Sequence, residues 1–177
     1  MNAAMPDTPR VGFYQVAYVT NELERALQQC ARTHGAYEFA RLPGLRYETG
    51  PGRAAICHVA LAYVGETEIE VIQPLEGDVG FYREVLPATG FALRFHHLAR
   101  LYETREELEA QIAAHRLEGR ALPVDGSSPG SARYYYADFR AELGHYIEGI
   151  WFEPAARQWL GTIPRNSPRS TSAAHQP

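Results

Sequence analysis

The sequence contains no lysine, since all 17 of its basic residues are arginine. A catalytic lysine Schiff base and a phosphate-binding P-loop lysine are therefore excluded. Its net charge of −4 also leaves it without the basic balance that a general nucleic-acid binder needs. The 177 residues, 45% of them hydrophobic, still suffice for one core-forming domain or two small modules that share a core.

Cysteine and long apolar runs are scarce as well. Cys30 and Cys57 are the only thiols, too few for a disulfide framework or a four-thiolate zinc site. No apolar run approaches the roughly 20 residues of a membrane-spanning helix. Residues 1–10 lack the basic-then-apolar order of a signal peptide. We therefore expect a reduced, cytoplasmic protein with neither a membrane nor a nucleic-acid partner.

The first half of the chain predicts a strand, a helix and three further strands. Aromatic and β-branched residues at 12–20 predict the first strand. Apolar spacing predicts a helix over residues 22–34, with Asn21 as its N-cap and Gly35 as its end. Extended segments and tight turns then continue to residue 73.

The same order restarts near residue 93. Residues 93–102 predict a strand, and Thr104 with Glu107 forms a capping-box pattern at the start of a second helix. Strands are predicted at 120–124, 132–137 and 144–152, with a turn at 125–130. The predicted division is a first βαβββ module at 11–74, a linker or lid at 75–92, a second module at 93–153 and a partly disordered tail at 154–177.

Two pairs of residues support a duplication. Gln15 and His97 open their modules at an offset of 82 positions (97 − 15). Glu70 and Glu148 sit in the closing strands at an offset of 78 (148 − 70), each within a Glu-X-Ile triplet. Because the two offsets are nearly equal, a pseudo-twofold axis would bring the four residues together.

All four of these polar side chains fall on strand faces that are otherwise largely apolar, where an unpaired carboxylate or amide is costly. Taken singly, each has an ordinary explanation, such as an amide partner for Gln15 or an arginine partner for Glu148. His96, beside His97, leaves the choice of imidazole open. Taken together, an imidazole nitrogen, an amide oxygen and two carboxylates suit a divalent zinc, iron, nickel, cobalt or manganese ion.

Four segments in this order resemble the vicinal oxygen chelate superfamily, which includes glyoxalase I, methylmalonyl-CoA epimerase, extradiol dioxygenases and bleomycin-resistance proteins. They are QVAYVTNELERAL, EIEVIQP, FHHLARLYETREELEAQI and LGHYIEGIW, and with the repeated element order they cover residues 12–152. The chain is most similar to glyoxalase-like or methylmalonyl-CoA-epimerase-like members. The resemblance implies an α+β fold, in which two tandem βαβββ modules form a curved, barrel-like mixed sheet around a metal.

The superfamily's ligands come from the first and last strands of each module. By resemblance they fall on Gln15, Glu70, His97 and Glu148, and the family's His-His pairs favour His97 over His96. This Gln/Glu/His/Glu set is similar to the glyoxalase I pattern of higher organisms. It departs from the two-His, one-carboxylate triad of extradiol dioxygenases.

The resemblance implies a divalent-metal-dependent isomerase, epimerase or lyase that transfers a proton on a small substrate chelated through adjacent oxygens. Glu148 is the implied base, with Glu70 as its alternative or partner. A metal-dependent dioxygenase and a non-catalytic ligand-binding protein stay open as alternatives, and so does a homodimer.

Other residues could complete a pocket. At least one of Tyr134, Tyr135 and Tyr136 must point inward, because neighbouring strand residues face opposite sides. The 11% aromatic content favours an apolar or aromatic substrate. Arginines that could bind a carboxylate or phosphate, or simply be solvated, are Arg94, Arg100 and Arg140.

Overall fold

A computed structural model describes residues 11–167. The predicted repeat of a strand, a helix and three strands is present. The first module comprises β1 (Gly12–Thr20), α1 (Leu23–His34), β2 (Ala40–Gly50), β3 (Arg53–Val64) and β4 (Thr67–Gly77). After the short helix α2 (Gly80–Arg83), the second comprises β5 (Leu93–Leu101), α3 (Arg105–Leu117), β6 (Val124–Ser128), β7 (Ala132–Phe139), α4 (Arg140–Leu143) and β8 (His145–Phe152). The helix α5 (Pro154–Leu160) and the strand β9 (Arg165–Asn166) follow.

Nine strands form one curved sheet, in which eight follow the order β2-β3-β4-β1-β5-β8-β7-β6 and β9 pairs with β3. The two modules join within one chain, where β1 pairs antiparallel with β5. In each module the first and last strands are parallel neighbours, β1 with β4 and β5 with β8. The predicted α+β barrel-like sheet is confirmed.

The end strands β2 and β6 come together and nearly close the barrel. The Tyr134 hydroxyl, on β7, donates a hydrogen bond of 2.9 Å to the carbonyl oxygen of Glu48 on β2. A Cβ atom at Gly126 on β6 would lie 2.0 Å from the same oxygen. Only glycine therefore permits this approach of the two strands.

The two long helices, α1 and α3, pack on the outer face of the sheet and leave the inner face to a cavity. Ala26, Leu27 and Cys30 bury one side of α1, and Leu108 and Ile112 bury one side of α3. The apolar periodicity of each helix accounts for the buried side. The inner face is thus free to carry polar side chains toward a common centre.

One of the predicted helix caps is wrong. Asn21 does not cap α1; its side chain bonds to Gly90 and Ala92 and so fixes the linker. The first helical N–H, that of Leu23, instead donates to the side chain of Gln73 at 2.9 Å.

The other two predicted helix ends are present in the structure. The capping box of Thr104 and Glu107 forms at the start of α3. Gly35 ends α1 in the left-handed conformation, at φ 74°.

Two segments differ from their sequence predictions. The predicted turn at 125–130 overlaps β6, because Arg133 holds Asp125 and the Gly126 carbonyl in place against β7. Helix α5, with Pro154 at its first turn, and β9 lie within the predicted tail. Residues 168–177 of that tail are outside the described part of the chain.

Residues 153–166 form a segment, here called the strap, that returns from the second module to the first. Its far end is fixed by Asn166, whose side chain accepts from the backbone N–H groups of Tyr37 and Glu38 and donates to the carbonyls of Glu38 and Tyr63. Leu160 and Ile163 of the strap are buried in the main core. None of the helices between residues 11 and 167 is long and apolar enough to cross a membrane.

Candidate metal centre

Three of the predicted ligands meet at the centre of the sheet. Glu70 on β4, His97 on β5 and Glu148 on β8 each offer a donor atom, and these atoms lie within 4.8 Å of one another. The Nε2 atom of His97 is 3.2 Å from Glu148 Oε2 and 3.5 Å from Glu70 Oε2. The His97 side chain is fully buried, the Glu70 side chain is 15% exposed, and the Glu148 side chain is 9% exposed. These three residues could hold one cation.

The fourth predicted ligand, Gln15 on β1, lines the inner cavity that Glu70 and Glu148 also line. Its Nε2 atom donates a 2.6 Å hydrogen bond to Glu68 Oε1. Its Oε1 atom is buried and has no hydrogen-bond partner among residues 11–167. Since ionised Glu68 can only accept, it holds the amide nitrogen and leaves the amide oxygen available as a ligand.

Glu68 is a site residue that the sequence reasoning did not select. Glu68 lies two positions before Glu70 on β4, so the two side chains share a strand face. This spacing is the sequence feature that could have identified Glu68. Burial, opposed by the hydrogen bond from Gln15, raises the pKa of Glu68 to about 7. In the metal-free protein this carboxyl therefore titrates near neutral pH.

Two alanines occupy equivalent places between the donors. Ala17 lies opposite Glu70 on β4 and opposite His97 on β5. Ala99 lies opposite the other two donors, Gln15 and Glu148. Both alanines are fully buried, so they leave space for longer side chains on either side to converge. The register of the two modules therefore repeats at the site, with the offsets that the sequence shows.

A chain of hydrogen bonds fixes the protonation of the two histidines. The Nε2 atom of His96 is 3.0 Å from the carbonyl oxygen of Phe81, and the two Nδ1 atoms of His96 and His97 are 2.9 Å apart. A carbonyl only accepts, so His96 must donate through Nε2 and, when neutral, accept at Nδ1. His97 then donates through Nδ1, and its Nε2 atom carries a bare lone pair when the ring is neutral.

The electrostatics agree with this arrangement. Burial, together with the charge of His97, lowers the pKa of His96 to about 3, so that ring stays neutral. Burial also lowers the pKa of His97, but Glu148 and Glu70 outweigh it and raise the value to about 9. Burial raises the pKa of Glu148 although His97 opposes it. A bare lone pair facing two carboxylates thus requires a positive charge between them, either a proton or a cation.

A mainly apolar cavity of about 200 Å³ adjoins the donors. Tyr134 and Tyr136 line it, whereas Tyr135 packs on the outer side against α3. The alternating directions of this tyrosine run are as predicted. None of Arg94, Arg100 and Arg140 lines the cavity.

Methylmalonyl-CoA epimerases share this fold. The Mycobacterium tuberculosis enzyme matches with a TM-score of 0.54 at 16% identity, over 88% of this chain and 95% of that one. An epimerase in complex with methylmalonyl-CoA and NH4+ matches with a TM-score of 0.51 at 15% identity, over 80% and 94%. A Streptomyces coelicolor epimerase variant in complex with 2-nitronate-propionyl-CoA matches with a TM-score of 0.51 at 14% identity, over 81% and 97%.

No protein-family model and no curated protein matches the sequence. The resemblance to the vicinal oxygen chelate superfamily, to which these epimerases belong, is confirmed at the level of the fold.

Proposed function

We propose that this protein is a divalent-metal-dependent enzyme that transfers a proton on a small substrate bound through two adjacent oxygens. Glu70, His97, Glu148 and the amide oxygen of Gln15 would hold the cation. The mixed nitrogen and oxygen donors suit zinc, iron(II), nickel, cobalt or manganese. The epimerase activity named for the structural neighbours is a proton transfer beside a carbonyl, which is consistent with this proposal.

The observation that carries the proposal is the position of the His97 Nε2 atom, 3.2 Å from Glu148 Oε2 and 3.5 Å from Glu70 Oε2. This atom points between two carboxylates, and its direction is dictated by the bonds from His97 to His96 and from His96 to Phe81. Metal-binding histidines characteristically donate their other ring N–H to a fixed acceptor, as His97 does here. Gln15 lines the cavity beside these carboxylates, and its orphaned Oε1 atom is a second available donor.

A cation held here would supply Lewis-acid stabilisation of the negative charge that develops on a carbonyl oxygen. We assign Glu148 the role of base, which takes the proton from the carbon beside that carbonyl and returns it. In the metal-free protein, burial raises the pKa of Glu148, although His97 opposes it. Glu70 is the alternative base, or the partner of Glu148 across the pseudo-twofold.

Deuterium exchange tests this function without knowledge of the natural substrate. 2-Hydroxyacetophenone, C6H5–CO–CH2OH, has carbonyl and hydroxyl oxygens on adjacent carbons. Its methylene C–H bonds, beside the carbonyl, are acidic. With protein loaded in turn with each candidate metal in D2O, we expect proton NMR to show loss of the methylene signal faster than with free metal alone. No acceleration with any metal, on protein shown to contain it, would refute the proton-transfer function. Oxygen uptake by the iron(II) form would instead favour the dioxygenase alternative.

Metal binding is expected to release protons at pH 7. In the metal-free protein the raised pKa of His97, about 9, means that its ring is protonated at neutral pH. The cation needs the neutral ring, so about one proton should leave per metal bound, and affinity should rise as the pH rises toward 9. Calorimetric titration in buffers of different ionisation enthalpy measures this number. A value of zero at pH 7 would contradict the proposed contact with His97.

Loss of the acceptor behind His97 should weaken metal binding. His96→Phe keeps a ring of similar size but cannot accept the Nδ1–H of His97, so metal affinity should fall about 10–100-fold. His96→Asn restores a carbonyl acceptor and should recover part of the loss. Competition with a chromophoric chelator gives the affinities. Equal affinities for the two variants would show that the bond to His97 has no such effect.

A further inference from the structure

We infer that the group attached to the two chelating oxygens of the substrate is a neutral apolar group of about one aromatic ring, not a carboxylate or a coenzyme A ester. This inference rests on the proposed function and concerns its substrate class. It follows from three properties of the cavity next to the donors: its walls, its charge and its hydroxyl groups.

The walls of the cavity are aliphatic and aromatic. Leu61, Ile72 and Val59 line it from the first module, and Ile150 and Phe152 line it from the second. The first four are less than a tenth exposed, so they offer a bound ring a largely apolar surface. An apolar cavity of about 150 Å³ accommodates a benzene molecule. The 200 Å³ here therefore has room for one ring beside the chelating oxygens.

The strap closes one end of the same cavity. Its helix α5 contributes Ala156, Trp159 and Leu160 to the lining, and Leu160 is 3% exposed. The strap is tied to the first module where the N–H of Tyr63 donates to the Pro164 carbonyl at 2.8 Å. At this end of the cavity a long polar chain would meet apolar side chains, against which a ring can pack.

The residues that line the cavity carry negative charge and include no arginine. Its titratable acids are Glu68, Glu70 and Glu148, and of these the latter two would neutralise a divalent cation. An additional carboxylate on the substrate would have no cationic side chain to meet among the lining residues. Burying such a charge without a partner is strongly unfavourable.

The arginine candidates predicted from the sequence are not available to the cavity. Arg140 pairs with Asp138 and Glu84 on the outside. The guanidinium of Arg100 lies over the ring of Tyr102, 4.9 Å from its centroid. Phosphate and carboxylate recognition characteristically uses such guanidinium groups, so their placement argues against an anionic tail.

Neutral hydroxyl donors line the cavity instead. Tyr47 donates to the Tyr82 hydroxyl at 2.6 Å, and the hydroxyls of Tyr82 and Tyr136 are 2.9 Å apart. Either of these two hydroxyls can donate to the other, and where Tyr82 donates its one hydrogen to Tyr136, the Tyr136 hydrogen is left to donate to a bound oxygen. Burial holds the pKa of Tyr136 well above its usual range, and it stays a neutral donor. This donor suits a neutral substrate oxygen.

Hydroxamates, which chelate metals through two adjacent oxygens, are suitable probes. The full chain is loaded with zinc, its metal content is measured, and binding of acetohydroxamate, benzohydroxamate and 4-carboxybenzohydroxamate is followed by calorimetry. Burial of the ring should make benzohydroxamate bind at least about tenfold more tightly than acetohydroxamate. The added carboxylate should cost at least about tenfold.

Two arginine variants test whether the lining of the cavity is what weakens binding of the carboxylated probe. Leu45 lines the cavity and is 37% exposed, so Leu45→Arg adds a positive charge at its rim and should narrow the gap between the neutral and the carboxylated probe. Leu117→Arg, at a position 90% exposed on α3, is the matched control and should leave the gap unchanged. The wild-type series decides the question even if Leu45→Arg does not fold.

The outcomes separate the two proposals. Equal binding of acetohydroxamate and benzohydroxamate, or binding of the carboxylated probe as tight as that of the neutral ring, would overturn the substrate class and leave the metal site standing. Protein that retains no metal and binds no hydroxamate would overturn the proposed function, and the substrate class with it.

Discussion

Replacing His97 with alanine is expected to abolish binding of the divalent cation. His97 supplies the nitrogen donor of the triad, and without it two buried carboxylates face each other across an unfilled space. The loss of metal affinity should exceed the 10–100-fold that usually follows substitution of a residue hydrogen-bonded to a metal ligand. Metal content after equilibrium dialysis, measured by elemental analysis, gives the result directly.

His58→Ala is the control for this experiment. The ring of His58 accepts a hydrogen bond from the N–H of Gly44 and is not among the residues that line the cavity. This variant should bind metal as the wild type does. Retention of stoichiometric metal by His97→Ala, or its loss from His58→Ala, would contradict the assignment of the centre.

Thermal unfolding provides a second readout of the same change. A ligand that binds only the folded state stabilises it by about 2.7 kcal/mol at 100 times its dissociation constant. Added metal should therefore raise the melting temperature of the wild type and leave that of His97→Ala unchanged. A shift of equal size in both proteins would mean that the cation binds elsewhere.

The placement of the four candidate ligands on one face of the sheet could be predicted because strand register preserves sequence spacing. Gln15 and His97 lie on equivalent first strands, and Glu70 and Glu148 on equivalent last strands. A residue two positions along a strand returns to the same face, so polar residues within apolar alternation mark the inner surface. The same face carries Glu68, which was not selected from the sequence, and nothing in the sequence shows that its partner is Gln15.

The supporting contacts could not be predicted, because they join segments with no common period. The acceptor for His96 is the backbone carbonyl of Phe81, in a linker whose sequence shows no regular pattern. Nearly all of the strap lies within the segment predicted as a tail, and its packing depends on Leu160 and Ile163 meeting a core built by both modules. Asn21 followed the rule for an N-cap, yet tertiary hydrogen bonds to the linker took its side chain.

Changing Glu148 to glutamine is expected to slow proton exchange by about 10²–10⁴-fold while metal remains bound. The amide keeps the shape of the side chain and an oxygen donor, but it cannot take up the proton as a carboxylate does. The rate is measured as loss of the methylene signal of 2-hydroxyacetophenone in D2O, per bound metal, beside the elemental analysis of each preparation.

Glu70→Gln is the matched comparison, because it removes one negative charge from the same triad. If charge alone mattered, the two variants would slow exchange equally. A much larger loss for Glu148→Gln identifies Glu148 as the base. A larger loss for Glu70→Gln would reverse the roles. Full exchange in both variants with full metal content would leave neither carboxylate as the base.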